Sequence, residues 1–191
     1  KETNAIDYYR RSLRVHADYE KAAQGIVVIC VRQHQAEKAK QFIQPLSDQW
    51  ERNLYLTTIY ADLLVSMGQV DAAITEARSA LRRDERFVPA MLSLARANLR
   101  AGRVELADSI LEQALAVNEK NAELHYLKGK RLLDEQRLAE ALTEFRRAVE
   151  LDPDYADARM KLGLRLLAGA NYADALAQFQ AVEKISPKLV E

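Results

Sequence analysis

The strongest constraint in this sequence is an alanine that returns every 34 residues. It occupies one register at six positions: Ala5, Ala39, Ala73, Ala107, Ala141 and Ala175. With 30 alanines among 191 residues, chance would produce such a series in some register roughly three times in a thousand. Other residues keep the same spacing, in the pairs Gly68 and Gly102, Gly129 and Gly163, Phe145 and Phe179, and Pro153 and Pro187. The chain is therefore predicted to be an array of internal repeats.

Each repeat is predicted to be a pair of helices. Full repeats cover 20–53, 54–87, 88–121, 122–155 and 156–189, and residues 1–19 correspond to the second half of an earlier one. Apolar residues recur at helical spacing on two faces, with Ala158, Leu162 and Leu166 on one and Ala175, Phe179 and Val182 on the other. A short break separates the faces, as in Met67-Gly68-Gln69, Ala101-Gly102-Arg103 and Gly169-Ala170-Asn171. A repeat is thus a helix A, a tight turn, a helix B and a connector. Pro45 is predicted to kink or end its helix B near Gln44.

Composition supports an all-α protein. Few turn residues and few aromatics argue against a β-sandwich or barrel, since the chain has only six Gly, four Pro and 7% aromatic residues. The longest apolar run, Gly25 to Val31, is far shorter than a membrane span. The net charge is zero, and no repeat departs from neutrality by more than about two charges, which argues against nucleic acid as a partner.

Period and pattern together resemble the tetratricopeptide repeat family, whose signature is W-x2-L-G-x2-Y, then A-x3-F, then P. The last repeat matches at Leu162, Gly163, Leu166, Ala175, Phe179 and Pro187, and the fourth at Gly129, Leu132, Ala141, Phe145 and Pro153. Lys128 replaces the leucine of the signature, and His125 and Arg159 replace its first aromatic residue. The resemblance covers residues 1–191 as a single array. It implies an α-solenoid of antiparallel helix pairs forming a right-handed superhelix, whose concave face is lined mainly by A helices.

Small residues are expected where helices A and B approach each other. Ala61, Ala95, Gly129 and Gly163 occupy one such position on the A helices, opposite the repeating alanines of the B helices. Bulkier side chains would overpack these pairs. In repeat 20–53, Val27 takes the place of the small residue.

No catalytic or metal-binding constellation is found in the sequence. His16, His34 and His125 lie in different repeats without metal-ligand spacing, and the glycines form no phosphate loop. Cys30 is interpreted as a small buried hydrophobic residue. Glu140 and Glu144, one helical turn apart, are interpreted as part of a solvated face. The chain is therefore predicted to be a non-enzyme that needs no metal and no cofactor.

The resemblance implies a binding groove at positions five, nine and twelve of the A helices. The candidate residues are Val28, Val31, Thr58, Asp62, Leu92, Arg96, Leu99, Tyr126, Lys130, Met160 and Leu164. This set is apolar at both ends, with Asp62, Arg96 and Lys130 near the middle. Such a surface suits an amphipathic helix or an extended peptide with apolar anchors. The Lys and Asn pattern with which co-chaperone members of the family hold a terminal carboxylate is absent.

The predicted function is a protein-interaction scaffold that binds a partner peptide or helix in the concave groove. By analogy with the family, it would assemble a bacterial envelope machine for secretion, pilus formation or motility. The compartment stays open between envelope and cytoplasm, with the envelope preferred. One alternative is a structural spacer or self-assembly element, and another is the substrate-recruiting region of a larger enzyme. The sequence begins and stops within the repeat pattern, so a fragment with apolar ends that associate end to end is expected.

Overall fold

The computed structural model describes residues 2–15, 20–47 and 53–185, and in these ranges every regular element is an α-helix. The chain divides into two compact units, residues 1–114 (unit 1) and 115–191 (unit 2), which are described separately. Residues His16 and Pro187, which the sequence analysis singled out, lie outside the described ranges.

Unit 1 begins with a helix of type B and continues with alternating A and B helices. Its helices are α1 (Glu2–Val15), α2 (Glu20–Arg32), α3 (Ala36–Ser47), α4 (Leu54–Ser66), α5 (Val70–Arg83), α6 (Val88–Arg100) and α7 (Val104–Val117), the last of which crosses the boundary at residue 114. Unit 2 contains α8 (Ala122–Asp134), α9 (Leu138–Leu151), α10 (Ala156–Ala168) and α11 (Tyr172–Ile185). The A helices are α2, α4, α6, α8 and α10.

Every A helix ends in the same backbone turn. The N–H of the third turn residue donates to a carbonyl near the end of the helix, in the pairs Gln35 to Cys30, Gln69 to Leu64, Arg103 to Asn98, Arg137 to Leu132 and Asn171 to Leu166. The second turn residue has positive φ in each case: His34 (56°), Gly68 (75°), Gly102 (72°), Gln136 (61°) and Ala170 (58°). This left-handed residue turns the chain into the next helix. In the last turn the left-handed position is Ala170 rather than the neighbouring Gly169, which has φ −88°.

In unit 1, each helix from α1 to α6 packs against the next, and α4 also contacts both α2 and α6. Asn53 caps α4, since its Oδ1 accepts from the backbone N–H of Tyr55 at 3.0 Å and of Leu56 at 3.4 Å. The small residues are buried as predicted: Ala39, Ala61, Ala73, Ala95 and Ala107 have no exposed surface. The side chain of Ala5 lies outside the described residues.

In unit 2, α9 packs against both α8 and α10, and α10 packs against α11. The core consists of Leu132, Ala141, Phe145, Leu162, Leu166 and Ala175. Two glycines permit close packing: a Cβ added to Gly129 would lie 2.8 Å from the ring of Phe145, and one added to Gly163 would lie 2.6 Å from the ring of Phe179. The predicted faces of α10 and α11 therefore meet across this core.

Two predictions are corrected by the helices. The prediction that Pro45 ends its helix near Gln44 is wrong, because α3 continues to Ser47. Proline has a φ that a helix accepts, and in the last turn it removes one hydrogen bond to a carbonyl that the helix end leaves weakly held.

The prediction of apolar ends is also wrong in part. Leu13 is 7% exposed and Val182 is fully buried, while Phe179 packs against the core of unit 2. The exposed apolar residues on these helices are instead Tyr8 on α1, at 68% exposure, and Tyr172 and Leu176 on α11, at 67% and 57%. The predicted residues turn towards their own helix pair, which covers them without a further repeat.

Candidate functional site

The A helices of unit 1 present one partly exposed face. Val28 on α2 is 41% exposed, and Val31 and Leu99 are half-buried. Thr58 and Leu92, at position five of their repeats, are each only 4% exposed and so offer little surface to a partner. These two side chains point into the packing between helices. The Thr58 hydroxyl donates to the carbonyl of Tyr55 at 2.7 Å.

An ion pair joins position nine of two neighbouring A helices in unit 1. Arg96 Nη1 on α6 lies 2.9 Å from Asp62 Oδ2 on α4, and the two residues are 34 apart in sequence. Their side chains are 26% and 37% exposed, so Arg96 is half-buried rather than free in solvent. The other carboxylate oxygen of Asp62 is buried without a hydrogen-bond partner. The two charges therefore neutralise each other on this face.

The A helices of unit 2 carry a different arrangement at the equivalent positions. Lys130 is exposed, and its Nζ lies 5.7 Å from the centre of the Tyr126 ring. The Tyr126 ring also packs against Tyr155 at 5.1 Å. Leu164 on α10 is 40% exposed, and Met160 is half-buried. Aliphatic and aromatic surface therefore surrounds a single ammonium group.

A polar latch inside unit 2 was not recognised from the sequence. His125 Nδ1 lies 2.6 Å from Glu144 Oε2, and His125 Nε2 lies 2.8 Å from the carbonyl oxygen of Glu119. Lys128 Nζ approaches the other oxygen of Glu144 at 2.7 Å. The Glu144 side chain is only 15% exposed, so its assignment to a solvated face is wrong. It faces inward because α8 supplies it with two hydrogen-bond donors.

The next repeat contains the same latch with other residues. Arg159 replaces His125, and its Nε donates to the carbonyl of Pro153 at 2.6 Å while its Nη1 donates to Gln178 Oε1 at 2.8 Å. Gln178 lies 34 residues after Glu144, and Arg159 lies 34 after His125. The signal that could have revealed the latch is this paired substitution of polar residues at two fixed positions of the repeat.

The Glu144 carboxyl feels two opposing effects. Burial alone would raise its pKa, but hydrogen bonds from His125 and Lys128 outweigh burial and lower it. Glu140 on the same helix is exposed and accepts from Arg137, and this hydrogen bond lowers the pKa of the Glu140 carboxyl. Both glutamates therefore remain ionised at neutral pH.

The remaining candidates for chemistry are structural. Cys30 is fully buried, as predicted, and burial raises the pKa of its thiol. His34 is exposed and occupies the left-handed position of its turn. Across the described ranges, no group of three or more His, Cys, Asp or Glu residues is arranged to hold a metal ion. None of the helices in these ranges is long and apolar enough to cross a membrane.

The repeated helix pairs and shared turns define a helical-repeat protein. Two family models match: a tetratricopeptide repeat model over residues 64–130 and a TPR repeat model over residues 129–168. Together they span more than half of the chain, which belongs to the tetratricopeptide repeat family. Proteins built from these repeats bind peptide or protein partners and are generally non-catalytic scaffolds.

Solved structures share this fold at low sequence identity. A thermophilic TPR protein of Thermus thermophilus is 20% identical, with 88% of this chain and 92% of that chain covered and a TM-score of 0.72. MamA (residues 41 to the end) from Desulfovibrio magneticus RS-1 is also 20% identical, with coverage of 88% and 96% and a TM-score of 0.55. YrrB, a TPR protein with an unusual peptide-binding site, is 20% identical, with coverage of 94% and 92% and a TM-score of 0.51. The sequence matches no protein of curated function.

Proposed function

We propose that this chain is a non-catalytic scaffold that binds a partner peptide or helix on its A helices. The observation that carries the proposal is a contrast between two adjacent positions of the repeat. Position eight is buried in all five A helices, as Val27, Ala61, Ala95, Gly129 and Gly163. Position nine is exposed or half-exposed in all five, as Val28, Asp62, Arg96, Lys130 and Leu164. The array thus holds one side chain of each A helix towards solvent at a fixed interval.

The chemistry at position nine fits a peptide with apolar anchors. Val28 and Leu164 are among the large apolar side chains with high exposure, and each occupies this position in its own unit. Buried neighbours fix the helix that carries them, so a partner meets a preformed surface and the ordering entropy falls mainly on the partner. YrrB, with its peptide-binding site, supports the same class of ligand by analogy.

Selection of short peptides from a displayed random library on the whole chain tests this proposal. The affinities of the selected peptides are then compared between Val28→Glu and Leu164→Glu variants and two controls. The controls are Leu106→Glu and Leu138→Glu, which change equally apolar residues on B helices at 44% and 56% exposure. At least one A-helix variant is expected to weaken binding by about tenfold, since a charge replaces an apolar anchor.

The controls are expected to leave affinity almost unchanged. Binding that survives both A-helix variants but is lost in Leu106→Glu or Leu138→Glu would move the site to the B helices. A chain that selects no peptide, and whose A-helix variants match wild type in every interaction assay, would overturn the scaffold proposal.

A second candidate is self-association, which exposed residues of α11 favour. Tyr172 and Leu176 lie one helical turn apart and are both more than half exposed. Sedimentation at increasing concentration is expected to reveal oligomers in wild type and fewer in Leu176→Glu. Roles in a bacterial envelope machine, or as the recruiting region of a larger enzyme, stay predictions from the family resemblance.

A further inference from the structure

The A helices of unit 2 leave one positive charge on the surface that is proposed to bind a partner. Positions five, nine and twelve of α8 and α10 are Tyr126, Lys130, Leu133, Met160, Leu164 and Leu167. Lys130 is the single charged residue in this set, and its side chain is exposed. Within the part of the chain that the structure describes, Lys130 makes no ion pair, and its Nζ lies over the ring of Tyr126.

Unit 1 provides the internal comparison. There, position nine also carries charges, but Asp62 and Arg96 pair with each other at 2.9 Å. That pair leaves no net charge for a ligand to neutralise. Lys130 occupies the same position of its repeat without a carboxylate beside it, so its charge can be matched by a ligand.

The surroundings of Lys130 restrict that ligand further. Leu164 and Leu167 on α10 are 40% and 44% exposed, and Met160 is half-buried. Tyr126 packs on Tyr155, at the start of α10, at 5.1 Å, so the two A helices lie side by side within unit 2. Neighbouring helices are separated by about 10 Å, a span that about three residues of an extended peptide cover.

We infer that the A helices of unit 2 select a peptide in which a carboxylate lies about three residues from an aliphatic side chain. The carboxylate pairs with the Lys130 ammonium, and the aliphatic side chain covers Leu164 and Leu167. The ring of Tyr126 keeps the ammonium group on this face instead of leaving it free in solvent. This inference rests on the proposed function and adds the chemical class of the partner.

The test uses short labelled peptides with an acidic and an aliphatic residue at this spacing, and fluorescence anisotropy on the whole chain. One set carries Glu and an amidated C-terminus, a second carries Lys instead of Glu, and a third carries only the free C-terminal carboxylate. The protein variants are Lys130→Met, Lys130→Glu and the matched control Lys184→Glu, which reverses an exposed charge on α11.

Wild type is expected to bind the Glu set about fivefold to tenfold more tightly than the Lys set, with the preference weakening as salt rises. Lys130→Met should remove the preference and Lys130→Glu should reverse it, while Lys184→Glu should retain it. A preference for the third set would identify a terminal carboxylate as the source of the charge.

The inference is overturned if the Glu and Lys sets bind equally, or if Lys130→Glu leaves the preference unchanged. In that case binding that is still lost in Leu164→Glu leaves the proposed function intact. If no set binds and the library selection also fails, the proposed function fails together with the inference.

Discussion

The two units meet the same packing requirement with different residues. In unit 2, glycine at position eight lies under a phenylalanine of helix B, as Gly129 does under Phe145. In unit 1, the matching residues at these two positions are Ala95 and Leu111, both buried. A smaller residue on helix A is thus matched by a larger residue on helix B. The repeat conserves the total volume between its helices rather than the identity of either residue.

The turns differ in the opposite sense. Unit 1 places glycine at two of its left-handed positions, Gly68 and Gly102, where positive φ costs little. Unit 2 places Gln136 and Ala170 there, so its turns carry the energetic cost of a Cβ in a left-handed conformation. Unit 2 also contains the polar latches around His125 and Arg159. One unit has favourable turns, and the other has added contacts between its helices.

The largest expected effect follows from the glycine–phenylalanine contact. Gly129→Ala places a Cβ 2.8 Å from the buried Phe145 ring. We expect it to lower the free energy of unfolding of unit 2 by about 2 kcal/mol, despite the higher helix propensity of alanine. Urea unfolding together with amide exchange in α8 and α9 measures the loss.

A second substitution separates this mechanism from a general effect of the mutation. Adding Phe145→Leu to Gly129→Ala imitates Ala95 and Leu111 of unit 1 and should recover part of the lost stability. If the double variant is less stable than the sum of the single changes predicts, the two units do not share a volume rule.

A smaller gain is expected in unit 1 from the buried residue Asn98. Its Nδ2 donates to the carbonyl of Leu94 at 2.8 Å, but its Oδ1 is buried without a partner. The equivalent residue in unit 2 is the core residue Leu132. Asn98→Leu should therefore raise the unfolding free energy by about 1–2 kcal/mol in thermal or urea unfolding.

The reciprocal change Leu132→Asn is the matched comparison and should destabilise unit 2. An Asn98→Leu variant that is less stable than wild type would mean that a larger side chain does not fit this part of unit 1.

The turn comparison predicts an effect of about 1 kcal/mol in each direction. Ala170→Gly should stabilise unit 2, because glycine adopts the left-handed conformation without a Cβ penalty. Gly102→Ala should destabilise unit 1 for the same reason. Differential scanning calorimetry measures both changes, and shifts of the same sign would contradict the assignment of the left-handed residue.

The smallest expected effect concerns pH. The folded-state pKa of Glu144 is lowered, so its contribution is present above the unfolded-state value near 4.3 and is lost as pH falls further. Amide exchange in α8 and α9 below pH 4.5 should accelerate more in wild type than in Glu144→Gln. Amide exchange in α4 and α5 of unit 1 is the internal control. Equal acid sensitivity of wild type and Glu144→Gln would rule out the latch as its source.

Much of the fold could be predicted because helix pairing follows local periodicity. The 34-residue spacing of alanine marked the buried contacts between helices, and Ala73, Ala107 and Ala141 are all fully buried. The site was harder to predict, since the spacing that placed Thr58 and Leu92 on the candidate face does not report how far a neighbouring helix covers them.

The sequence by itself determined the helical class, the repeat length and the small residues that allow close helix packing, because these depend on contacts that recur at fixed intervals. Only the tertiary structure decided that Arg96 pairs with Asp62 and that Glu144 turns inward to His125 and Lys128. These pairs join side chains 34, 19 and 16 residues apart on different helices. Their formation depends on the distance and burial that packing creates, and no single helix encodes either quantity.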